Sequence, residues 1–214
     1  MGMHLNWEFH LPAETSAERV TGLLTALRAR ALGMPFEEVT RFIEHPTGPS
    51  IDHLEGYVAL WAEIISRPDE DDSRVGDLTT ARGFGVYPGK RCDGATFGFV
   101  KRAEVDGGSP EWFWHHCCKT QYASVVSREH LITCHTSLVA LLDYAIELGI
   151  GVVVRDEGHY WETRDESRLV AEAEYMNRVP ARLAGAFSDA MPRGLATGSP
   201  IFEHPGFERL EMGE

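Results

Sequence analysis

Residues 111–122, read as EWFWHHCCKTQY, crowd two tryptophans, two histidines and two cysteines into one strand-length run. Thiolates and imidazoles are the groups of nucleophilic catalysis and of zinc coordination, and aromatic rings commonly wall small-molecule pockets. In an extended chain, alternation puts Trp112, Trp114, His116, Cys118, Thr120 and Tyr122 on one face. Phe113, His115, Cys117, Lys119 and Gln121 fall on the other, so the paired histidines and paired cysteines are divided and cannot act as one four-ligand group.

Three readings of the first face stand side by side. In the first, Trp112 and Trp114 are core residues and Cys118 and Cys134 are small buried hydrophobes. In the second, Cys118 and Cys134 join His135 or His116 around a metal, although this spacing matches no zinc knuckle. In the third, Cys118 is a nucleophile activated by His116 or His135, with Asp156 or Glu157 orienting the base. A second polar cluster, residues 155–162 (RDEGHYWE), is read as a hairpin tip that offers Arg155 to an anion and Glu162 as a base. Near the amino terminus, His4, Asn6, Glu8 and His10 share the polar face of another strand, which is what a half-buried strand requires.

The elements that must position these groups follow from periodicity. Leu5, Trp7, Phe9 and Leu11 alternate with polar neighbours, giving a first strand. Thr15 with Glu18 forms a capping box ahead of the helical stripe Val20, Leu23, Leu24, Leu27 and Ala31, which Gly33 ends. A second short helix is expected after Pro35, another helix over 50–68, and a solvated acidic loop over 69–72. Residues 82–87 and 95–100 read as a hairpin. The stripe Leu131, Cys134, Leu138, Leu141, Leu142 and Ala145 marks a helix over 129–148. Residues 152–154 and 160–162 suggest a second hairpin, and a box of Thr163 and Glu166 opens a last helix through Leu169, Ala173 and Met176.

The pattern Trp112-x-Trp114-x-x-x-Cys118-Lys119-Thr120-Gln121-Tyr122-Ala123, with Cys134-His135 and Asp156-Glu157-Gly158-x-x-Trp161-Glu162-x-Arg164-Asp165, resembles a recurring group of bacterial proteins of about this size. The resemblance implies a bacterial cytoplasmic protein and carries no activity, cofactor or catalytic residue with it.

Composition bounds the rest. The 33 acidic and 20 basic side chains give a formal charge of -13, which repels a phosphate backbone, so nucleic acid is not an expected partner. No apolar run reaches membrane-spanning length and the first residues carry no export pattern, so a cytoplasmic protein with reduced thiols and no membrane association is expected. The dinucleotide, phosphate-loop, metalloprotease and serine-hydrolase signatures are absent from the sequence. The expected architecture is one α+β domain over 1–214. It has a mixed, mainly antiparallel sheet of about six strands under three or more helices, and a surface-packed tail over 192–214. The first functional reading is a binding protein with a small-ligand pocket between the 112–122 strand, the 129–148 helix and the 155–162 hairpin. There Trp112, Trp114, Tyr122 and Arg155 contact the ligand. The alternative is an enzyme using Cys118, His135 and Glu157, and a third reading is a homodimer through an exposed strand edge or aromatic surface. No cofactor and no metal ligand set is assigned.

Overall fold

The computed structural model describes residues 2–45, 78–102, 111–190 and 204. Its centre is a seven-stranded sheet whose paired strands are all antiparallel. The strands are β1 (His4–Leu11), β2 (Glu38–Val39), β3 (Ile43–His45), β4 (Leu78–Tyr87), β5 (Ala95–Arg102), β6 (Trp112–Lys119) and β7 (Gly151–Asp156). They lie in the order β2-β4-β5-β6-β1-β7, with β3 also on β4. Among the described residues four α-helices accompany them: α1 (Ala17–Leu32), α2 (Arg128–Glu147), the single turn α3 (Tyr160–Thr163) and α4 (Glu166–Ala190).

β1 has the alternation its sequence demands: Leu5, Trp7, Phe9 and Leu11 are buried, while the polar residues between them stay open to solvent. Its neighbours share the pattern, because register places Trp7 opposite His116 and Val154, and Phe9 opposite Trp114 and Val152. Helices α1 and α2 cover the apolar face, α1 with Val20, Leu23, Leu24, Leu27 and Ala31 and α2 with Leu138, Leu141, Leu142 and Ala145. Aromatic rings fill the layer between. Trp7 stacks on Phe97 at 5.1 Å and Phe84 on the same ring at 5.6 Å.

Several local expectations are corrected. The cap of α1 is Ser16, whose Oγ accepts from Arg19 N at 3.2 Å. Thr15 is held elsewhere, since its N–H donates to Pro12 O and its carbonyl accepts from Trp112 Nε1. The stretch after Pro35 is extended, not helical. The Glu37 and Thr40 N–H groups donate to Tyr87 and Gly85 on the edge of β4, and those sheet bonds displace the local helical ones. The second hairpin is also absent, because β7 is followed by a turn and α3. The helix α4 is capped by Asp165, whose Oδ1 accepts from Ser167 N, while Thr163 Oγ1 donates back to His159 O. The helix over 50–68, the acidic loop over 69–72 and, apart from His204, the tail over 192–214 lie outside the described residues. None of the helices among the described residues is long and apolar enough to cross a membrane.

Candidate functional site

The inward face of β6 is closed. Trp112 and Trp114 are 2% and 0% exposed, and each ring N–H is taken by a backbone carbonyl, Thr15 O at 2.9 Å and Thr96 O at 3.1 Å. Arg82 and Lys101 also lie over the Trp112 ring. These side chains present no surface to a ligand, which corrects their reading as pocket walls. Tyr122 sits on the 3-10 turn Gln121–Val125, half-buried, with Lys119 Nζ 4.4 Å above its ring. His116 accepts from Thr96 Oγ1 through Nδ1 and donates to Gly94 O through Nε2, a tautomer assigned from those partners. Burial pushes its pKa down to about 3, against the backbone bond that favours the charged form.

Cys118 is sealed in the same layer, its thiol donating to Asp93 O at 3.2 Å. Burial, with Asp93 beside it, pushes this thiol well above its ordinary value, so it stays protonated and is no nucleophile at neutral pH. The grouping of Cys118, His135 and Glu157 is split three ways. His135 bonds Thr120 and Asp156, and Glu157 is on the solvent side, where its carboxylate accepts from His4 N at 2.8 Å.

Of the two acidic residues suited to orient His135, Asp156 carries the contact. Thr120 Oγ1 donates to His135 Nδ1 at 2.9 Å, and His135 Nε2 donates to Asp156 Oδ2 at 3.1 Å. Asp156 Oδ1 accepts from Gly158 N at 2.7 Å, and Oδ2 also accepts from Trp161 N at 2.8 Å. Burial alone would raise the Asp156 carboxyl, but the bond and charge of His135 and the two backbone donors hold it below its ordinary range. The order hydroxyl, imidazole, carboxylate is that of a hydrolytic triad. Here no substrate reaches it, because Thr120 and His135 are fully buried. What the arrangement does is fasten the end of β7, the start of α3 and the underside of α2 together. This fastening is also why 155–162 turns into a helix: the carboxylate collects the N–H groups that a returning strand would have offered to a partner.

The remaining inward polar residues are structural in the same way. Gln121 accepts from Met3 N and donates to Asn177 Oδ1 at 2.7 Å, joining the amino-terminal segment to α4. Sequence reasoning missed this pair, since 56 residues separate them. It also missed a second group of side chains. Cys92, in the β4–β5 loop, packs against Cys134 on α2, and His130 Nε2 lies 3.6 Å from the Cys134 sulfur. The spacing of four between His130 and Cys134 was a legible signal, because it puts both on one helical face. Gly89 makes that approach feasible. A Cβ there would sit 2.7 Å from Cys134 Sγ and 2.7 Å from His130 Cε1. Gly89→Ala is therefore expected to cost about 1–3 kcal/mol of stability, read from urea unfolding.

The open space is on the outer face of the same strands. A cleft of about 350 Å³ lies over β1, β6 and β7, lined by Asn6, Glu8, His115, Val153, Arg155 and Glu157. A second, of about 380 Å³, adjoins it around the free edge of β7, where His159, Glu162, Glu172 and Met176 join Arg155 and Glu157. Arg155 and Glu157 thus wall both clefts, while Asp156 between them points inward. Around these clefts, Glu157 lies 3.2 Å from His4, and Glu8 lies 3.5 Å from His10. Arg155 has no ion pair among the described residues. Also among the described residues, no group of three or more His, Cys, Asp or Glu side chains is arranged to hold a metal ion. Comparison with family models, with curated proteins and with solved structures gave no match.

Proposed function

We propose that this protein binds a small zwitterionic molecule, carrying one carboxylate and one amine, in the outer cleft of β1, β6 and β7. One observation carries the reading: Arg155 near the end of β7 and Glu157 in the turn just after it, opposite charges two positions apart, wall both clefts. The guanidinium offers a planar pair of donors suited to a carboxylate. Glu8 and Glu157 offer acceptors to an ammonium group, and Asn6 and His115 supply neutral hydrogen bonds. The volume, about 350 Å³, suits a ligand of amino-acid size. The ligand site of the sequence reading keeps its strands but moves to their other face, where Arg155 and not the tryptophans makes the contact. An enzyme built on Cys118 is disfavoured, because its thiol is sealed and protonated.

Isothermal titration with a panel of free α-amino acids tests the proposal. At least one is expected to bind, and Arg155→Ala is expected to weaken it by about 10- to 100-fold, the loss of a charge-assisted hydrogen bond, at unchanged thermal stability. Absence of heat with the whole panel, or identical affinity in the variant, would rule the site out.

A further inference from the structure

Three elements converge on one small region: the loop between β4 and β5, which carries the partly exposed Cys92, the end of β6, and the first turns of α2. Cys134 is buried, with its sulfur 3.4 Å from Pro88 O and 3.6 Å from His130 Nε2. His130 Nε2 is in turn 2.9 Å from Lys90 O, which makes that nitrogen the protonated one and commits its hydrogen to the loop carbonyl, with the ring lying against the sulfur. Cys92 packs on this cluster, positioned by a turn in which its N–H donates to Gly89 O at 3.0 Å and Arg91 is held at φ 69°. An unstrained thiol store needs none of this. The missing side chain at Gly89 lets the loop close on the Cys134 sulfur, and the turn that follows leaves Cys92 against the same cluster.

We propose that Cys92 and Cys134 are a reversible dithiol–disulfide pair, with Cys92 the entry sulfur and His130 the group that steadies the Cys134 thiolate. The oxidant is a low-molecular-weight disulfide. The Cys92 thiol gives its proton to solvent and its sulfur attacks one of the reagent's sulfurs, the reagent's S–S bond breaks, and one half leaves as a thiolate. Cys134 then gives its proton to solvent and attacks the Cys92 sulfur. The new Cys92–Cys134 bond forms as the second half leaves. Two protein thiols are oxidised, one small disulfide is reduced to two thiols, and excess thiol runs the sequence backwards. The acid–base behaviour of the pair agrees with this. The interaction between the two thiols lowers the Cys134 thiol below its ordinary value and raises that of Cys92, so the two titrate as a pair. Cys117 and Cys118 take no part: Cys118 is sealed in the core with its thiol on Asp93 O, and Cys117 lies on the opposite face of β6 from it.

Peptide mapping by mass spectrometry without reduction, after exposure of the folded protein to glutathione disulfide, tests the pair. The expected product has Cys92 joined to Cys134 while Cys117 and Cys118 remain free for alkylation, and added glutathione restores all four thiols. In Cys134→Ser the second step is blocked, so a mixed disulfide with glutathione is expected to persist on Cys92 at least tenfold longer than in the parent protein. Four free thiols after exposure, or a bond that includes Cys117 or Cys118, overturns the proposal. So does a mixed disulfide on Cys92 that is no longer lived in Cys134→Ser.

Discussion

Asp156→Ala is expected to destabilise the protein by about 3–5 kcal/mol, because three donors lose one charged acceptor and each such loss costs about 1–3 kcal/mol. Three donors lose their acceptor together. His135 loses the acceptor of its Nε2–H, and it is fully buried, so no water replaces it. The N–H groups of Gly158 and Trp161 lose the carboxylate that gathers them, which undoes the turn into α3. Asp156→Asn keeps the shape and one acceptor and is expected to cost clearly less. The pH dependence separates charge from shape. The folded carboxyl titrates below its ordinary value, so its contribution is present above about pH 4, the unfolded range, and is lost as pH falls through the lower folded value. Urea unfolding of parent and variants at neutral pH and in acid measures both effects. Equal stability of parent and Asp156→Ala at pH 7 would show that the buried network contributes nothing.

The second large effect is an acid slope caused by His116. This imidazole is held neutral in the core, with a folded pKa of about 3 against 6.5 for the free side chain. Between those values the unfolded chain takes up a proton that the folded protein cannot accept. Stability is therefore independent of this group above pH 6.5 and falls by about 1.4 kcal/mol per pH unit below it, to a total of about 3 kcal/mol at pH 4. His116→Gln retains a donor for Gly94 O and an acceptor for Thr96 Oγ1, and it does not titrate. Its unfolding free energy should be lower than the parent's at pH 7 and should converge with it toward pH 4. Parallel pH profiles for the two proteins would mean that His116 is not the source of the slope.

Both residues were visible in the sequence as chemically interesting, and both turn out to hold the fold together. The difference lies in what their surroundings leave open. His116 was placed correctly on the face with Trp112, Trp114 and Cys118, since strand alternation is a property of the local backbone. Its donor and acceptor are satisfied by Thr96 and Gly94, which reach it from the hairpin 20 or so residues earlier. His135 follows Cys134 of the α2 stripe and is itself fully buried. Its true partners, Thr120 and Asp156, come from the ends of two strands that are not neighbours in the sheet. The stretch after Pro35 shows the opposite failure. Its spacing suits a helix, but the exposed edge of β4 offered unpaired backbone groups, and pairing with them decided the conformation.

The sequence by itself determined the α+β class, the strands of the 4–11, 82–87 and 95–100 stretches, the strand expected over 112–122 as far as Lys119, the long helices and the division of that strand into two chemically distinct faces. Each of these depends on interactions within a few residues, where a period of 2 or 3.6 is enough. Tertiary structure alone decided which of the two faces is dry. Once α1 and α2 cover the aromatic side, Trp112, Trp114, His116 and Cys118 become core, and Arg155 and Glu157 are left lining open clefts on the far side of the sheet. It also brought Cys92 to Cys134 across 42 residues of chain, a meeting that no local period encodes because it depends on how the β4–β5 loop closes over a helix.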